Sequence, residues 1–80
     1  MSFELHDTVR IVKLLEPERA VDGSAPAPPQ PRVGEVGAVV ECIGRDLYLV
    51  ENVTADGFTK WMAEFMGAEL ELVERPLPAG

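Results

Sequence analysis

The sequence predicts a mainly-β fold: five short strands forming a small closed or partly open barrel. Three observations carry this. Apolar, β-branched and aromatic residues cluster in short runs such as "TVRIV", "GAVVECI" and "DLYLVEN", which fit a pleated, half-buried surface. The links "IGRD" and "VTADG" have hairpin length and hairpin residues. The competing helix, over residues 59–73, would carry Gly67 near its middle, at a cost of about 1 kcal/mol relative to alanine. With 80 residues there is room for one domain, expected over 1–75 with 76–80 as a frayed tail.

In chain order, "HDTVRIVKLL" (6–15) alternates Val9, Arg10, Ile11 and reads as the first strand. The adjacent Leu14 and Leu15 break the alternation, so a bulge or strand end belongs there. Residues 16–32 hold five of the seven prolines and the pair Asp22-Gly23. Proline removes ladder donors, so this is a long loop, with 17–31 expected to be the most mobile internal segment. Its "PAPP" and "PPQP" satisfy P-x-x-P, a pattern that any proline-rich loop produces easily. Residues 37–43 make the second strand and 46–52 the third, with Gly44 expected first in a two-residue type II′ turn. Asp56-Gly57 marks the next turn, 58–65 is the fourth strand, ending in a short helical turn, and a fifth strand runs through Leu70 and Leu72.

"RVGEVGAVVECIG" holds two glycines spaced as in loops that cradle phosphate. Such loops work because a helix follows and aims its free N–H groups at the anion. Here a strand follows, and Glu35 sits beside the first glycine. Gly34 and Gly37 are therefore read as a strand entry that needs positive φ or close backbone approach.

"HDTVRIVKLL", "RVGEVGAVVECIG", "LYLVENV", "DGFT" and "AELELVE" together resemble a family of short uncharacterised bacterial domains. In that family D-x-V opens the first strand, G-x-x-G-x-V-V-E the second, and Y-x-V-E marks the third. Those domains are similar to the SH3-like barrel of the nitrile hydratase β-subunit and of the small accessory subunit of photosystem I. The resemblance covers nearly all of the chain outside the proline-rich loop. It implies a five-stranded SH3-like barrel and says almost nothing about activity. The KOW segment of ribosomal and transcription proteins shares G-x-x-G-x-V, but its basic residues are missing here.

Charge narrows the function classes. The net charge is −7, and residues 33–80 contain nine acids against Arg45, Lys60 and Arg75. Nucleic-acid binding needs Lys and Arg to neutralise phosphates, so a KOW-like role is disfavoured. "MSFELHDTVR" shows no signal-peptide pattern, and no apolar run approaches the ~20 residues of a membrane span; a soluble, cytoplasmic setting is expected, without membrane or nucleic-acid partners. Cys42, the single cysteine, is read as a small buried hydrophobe.

Asp7, Glu41, Glu51 and Glu64 are the carboxylates that could be nominated for acid–base work, but no cleft or divergent environment is visible to split their pKa values. His6 is the one histidine and lacks companions at metal-ligand spacing. No enzyme activity, cofactor or metal is expected. The surface reading is stronger. If Glu41 points outward, period two places Val39 and Ile43 on the same outer face; if Glu51 does, Leu47 and Leu49 join them. "FTKWMAEFM" adds Phe58, Trp61 and Phe65, with Met62 and Met66, more than one strand face can bury. Val39, Ile43, Leu47, Leu49, Phe58, Trp61 and Phe65 are thus the candidate protein interface, unless the proline-rich loop or the C-terminal segment covers them. The expected function is a non-catalytic protein-interaction or accessory module, meeting a partner protein or its own copy. The alternatives are a KOW-like domain and a small subunit of a metalloenzyme or electron-transfer complex.

Overall fold

The computed structural model describes residues 2–77. Five strands form it: β1 (Thr8–Ile11), β2 (Val36–Gly44), β3 (Leu47–Val53), β4 (Thr59–Met66) and β5 (Leu70–Glu74), with a single 3-10 turn at Gly67–Glu69 between the last two. All pair antiparallel in one sheet of order β4-β3-β2-β1-β5. The sheet is not closed: β4 and β5 are its edges. No helix among the described residues is long and apolar enough to cross a membrane.

The core follows from period-two alternation. Val9 and Ile11, Tyr48 and Val50, and Trp61, Ala63 and Phe65 lie on one side of their strands and are buried, joined by Phe3, Val39 and Leu70. Phe3 meets Tyr48 edge-to-face with ring centroids 5.3 Å apart, and the Tyr48 hydroxyl accepts the Phe3 N–H. The segment ahead of β1 is thereby tied to the sheet. β1 is shorter than its apolar run suggests, because beyond Ile11 the chain turns away and Val12 N–H donates to the Glu69 carbonyl.

Strand β2 breaks the expected parity. Val39 pairs with Val50 but Glu41 pairs with Leu49, so Val40 is an extra, unpaired residue; Ile43 is a second one, between Cys42–Tyr48 and Gly44–Leu47. Each inserted residue flips the side on which later residues point. Val39, expected beside Glu41 on the outer face, therefore points inward and is fully buried. Cys42 lies in a stretch of β2 that is exposed throughout, contrary to the buried reading. The β2–β3 turn is also shifted: Arg45 and Asp46 are its two residues, and Asp46, at φ 56°, takes the left-handed conformation that had been assigned to Gly44.

The two glycines at the entry to β2 divide the two roles expected of them. Gly34 sits at φ +96° in open space, whereas a Cβ on Gly37 would lie 2.7 Å from both the Glu51 carbonyl and a Val50 methyl. The first makes the turn and the second lets β2 approach β3.

The proline-rich segment is tied to the sheet at several points. Asp22 and Met62 exchange backbone hydrogen bonds of 3.0 and 2.7 Å, and Ser24 N–H donates to the Thr59 carbonyl at 2.9 Å. Gln30 and the Arg19 backbone bond reciprocally, and Pro31 is buried. The segment is a strap along the outer edge of β4. It occupies the N–H and C=O groups through which an edge strand otherwise recruits another chain.

Candidate protein interface

A buried ion pair adds to the backbone bonds that hold the strap. Glu69, in the 3-10 turn, receives Arg19 Nη2 at 2.6 Å and Nη1 at 3.3 Å, together with the N–H groups of Met66 (2.9 Å) and Leu15 (3.0 Å). The two side chains are only 5% and 2% exposed. Burial opposes ionisation of Glu69, but the hydrogen bonds from Arg19 and then from the two backbone amides outweigh it and hold the carboxyl below its ordinary range. Arg19 also donates to the carbonyls of Glu16 and Glu64, and its guanidinium lies 4.4 Å from the Phe65 ring centroid.

Two other carboxylates are held in the same manner. Asp7 is fully buried and receives Nε and Nη2 of Arg75 at 2.9 and 2.8 Å, plus the Glu4 N–H at 2.8 Å. The Arg75 hydrogen bonds are the largest influence and lower its pKa against burial. Glu35 is disfavoured as an anion by burial, yet Lys60 at 2.8 Å, the Arg32 N–H and the Trp61 indole N–H at 3.2 Å bring its pKa down. Trp61 can thus sit fully buried with its one polar atom satisfied.

Between the strap and the outer face of β3–β4 runs a groove. Cross-strand rows define its floor: Leu47 lies opposite Met66, Leu49 stands between Glu41 and Glu64, and Glu51 lies between Ala38 and Met62. One depression, of about 240 Å³, lies over Leu49 and Met62 beside Ala20 and Asp22. The next, about 360 Å³, lies over Leu47 and Met66 beside Leu15. Both are lined by Glu16, Arg19 and Glu64, so they adjoin. Leu15 and Met66 are 55% and 41% exposed. Among the described residues no cation lies within salt-bridge distance of Glu16, Asp22, Glu41 or Glu64.

The residues expected to form the interface separate into three groups. Leu47 and Leu49 lie half-buried on the groove floor, as outward residues of β3. Val39, Trp61 and Phe65 are fully buried, so no surface is left for a partner to touch; they are core. Trp61 and Phe65 instead pack on each other with ring centroids 5.6 Å apart. Ile43 and Phe58 are exposed, at 38% and 62%, Ile43 as a bulge residue and Phe58 beyond the Asp56-Gly57 turn. Of the nominated carboxylates, Glu41, Glu51 and Glu64 share the outer face, with Glu51 bound by the Thr59 hydroxyl, and Asp7 is the partner of Arg75. His6 is exposed at φ 73°, its N–H donating to the Val39 carbonyl. The frayed-tail expectation extends over 78–80, which lie outside the described residues. Sequence reasoning missed Arg19, Glu35 and Glu69, since each pairs with residues remote in the chain. The "MGAE" turn, with an acid three residues into a helical start, was the one local signal for Glu69.

In comparisons with known proteins, no family model, no curated protein and no solved structure matches this chain.

Proposed function

We propose that this chain is an SH3-like barrel domain serving as a non-catalytic protein-interaction or accessory module, and that it binds its partner in the groove between the strap and β3–β4. The barrel reading is supported by the passage from β4 through one 3-10 turn into β5, which returns to pair with β1 at the far side of the sheet. The observation that carries the functional reading is the groove itself: Leu47, Leu49, Met62 and Met66 interleaved with Glu51 and Glu64 on its floor, the mixture of apolar and polar groups of a recognition surface. The strongly held carboxylates favour a binding role over catalysis. Asp7, Glu35 and Glu69 have lowered pKa values and their oxygens engaged, whereas a general acid or base works best with a pKa near the operating pH.

A KOW-like role has less support. Arg10, Arg19, Lys60 and Arg75 are paired with carboxylates, and the other cations, Lys13, Arg32 and Arg45, sit in three different loops and turns, so no phosphate-tracking stripe results.

The test is partner capture from the host with wild-type protein, Leu49→Asp and Trp61→Ala. Leu49 faces outward, so the aspartate should abolish capture while the native spectrum persists. Trp61→Ala should destabilise the domain by about 3–5 kcal/mol, because Trp61 is core. Undiminished capture by folded Leu49→Asp would remove the groove as the binding surface.

A further inference from the structure

The proposed docking role specifies that a partner enters the groove but leaves its chemistry open; the following inference rests on that role. We propose that the groove takes a basic amphipathic helix, with apolar side chains seated over Leu49 and the Leu47–Met66 pair and cations reaching Glu41 and Glu64.

Three observations lead there. The first excludes strand addition at this site. The backbone edge of β4 next to the groove is already engaged by Asp22 and Ser24 of the strap, so a partner finds side chains to pack on and no free edge to extend. A sheet face that is covered without edge pairing is most simply covered by a helix.

The second is charge. Glu41 and Glu64 flank Leu49 on neighbouring strands, about 10 Å apart at a spacing of ~4.8 Å per strand. Glu16 and Asp22 on the strap side add two more anions without a cation partner among the described residues. Arg19, the one cation lining the groove among the described residues, is spent on Glu69. Leu47, Leu49 and Met66 with acids on both sides complement a helix whose apolar stripe is bordered by Lys or Arg.

The third disfavours a second copy docking face to face. The same face from two molecules would bring these acids together, and each chain carries a net charge of −7. Like charges across an interface select against that pairing.

The experiment uses the intact protein and three synthetic peptides of about 18 residues, long enough to cross the sheet as a helix of ~27 Å. One has leucines at i, i+3, i+4 and i+7 with lysines elsewhere. The second replaces lysine by glutamate. The third scrambles the first so that composition and charge are kept but no apolar face forms. Labelled peptides give affinities by fluorescence anisotropy, and backbone amide shifts locate the site.

The leucine–lysine helix should bind with shifts concentrated on residues 47–49, 62–66 and the strap, and should weaken as salt rises from about 0.05 to 0.5 M. The glutamate and scrambled peptides should bind at least about tenfold more weakly. Glu41→Lys with Glu64→Lys should lose about tenfold or more, whereas the equal charge change Asp56→Lys with Glu74→Lys, remote from the groove, should change affinity less than about twofold. Equal losses from the two double variants, or binding by the scrambled peptide, would mean attraction to net charge alone and would overturn the proposal. Its failure is separable from that of the docking role: if Leu49→Asp still abolishes capture of the host partner while no basic helix binds, the groove stands and the helix does not.

Discussion

Replacing Arg19 by methionine removes one charge from a pair that has almost no contact with water. The Glu69 carboxylate would keep its two backbone donors, from Leu15 and Met66, but lose two charge-assisted bonds and its one salt-bridge partner among the described residues. Breaking a buried ion pair from one side costs about 3–5 kcal/mol. The lost stacking on Phe65 adds to this, while the methionine restores some apolar contact; we therefore expect about 3 kcal/mol of destabilisation. A domain of this length has a total stability of about 4–12 kcal/mol, so the loss is a large fraction of it, and Tm should fall by more than about 12 °C at 4–8 °C per kcal/mol. Urea unfolding followed by the fluorescence of Trp61, the sole and fully buried tryptophan, measures the change. Arg19→Met combined with Glu69→Gln should recover part of the stability, because no charge remains to desolvate, although the single amide oxygen can accept only one of the two backbone N–H groups that now bond to separate carboxylate oxygens. Amide exchange in the single variant should show Asp22 and Ser24 losing protection before the core strands. A single-variant loss below about 1 kcal/mol, with the strap amides unchanged, would refute the view that this pair secures the strap.

Two further predictions concern pH and backbone. Asp7, Glu35 and Glu69 all have folded-state pKa values below their unfolded ones, so their contribution is fully present above about pH 5 and is lost as pH falls through ~4 and then through the lower folded values; urea midpoints from pH 7 to 3 should decline at the acid end, and a rise on acidification would contradict the assignment. Gly37→Ala should destabilise by about 1–3 kcal/mol through its clash with the Glu51 carbonyl, and Gly34→Ala by about 1 kcal/mol through its φ alone, both by urea unfolding; equal stability of either variant with wild type would refute the corresponding reading.

The strands, their order along the chain and the turns at Asp56-Gly57 and Gly34 were legible because they are local: period-two alternation, β-branched residues and positive-φ positions depend on a few neighbours only. So too was the outward placement of Leu47, Leu49 and Glu51, since β3 is regular across that stretch. The same rule failed one strand earlier. Val39 and Glu41 are two apart in sequence, yet they point to opposite faces, because the unpaired Val40 resets the alternation. No composition signal marks a bulge that register with β3 imposes.

Trp61 and Phe65 show a second boundary. Their types suit an interface and a core equally well, and only the tertiary packing, with Glu35 arriving to bond the indole N–H, settles them inside. The proline-rich segment shows a third. Its composition excludes regular structure, and that much is right, but lack of periodicity does not imply lack of packing. Arg19 reaches Glu69 across 50 residues of chain, and Asp22 finds the edge of β4. The sequence by itself determined a mainly-β fold, its hairpins, its acidity and its outward β3 residues, all set by short-range sterics and solvation. Only the tertiary structure decided what covers each edge, which acids are buried in ion pairs and which stay free beside the groove, because those depend on groups that come together only when the whole chain has closed its loops.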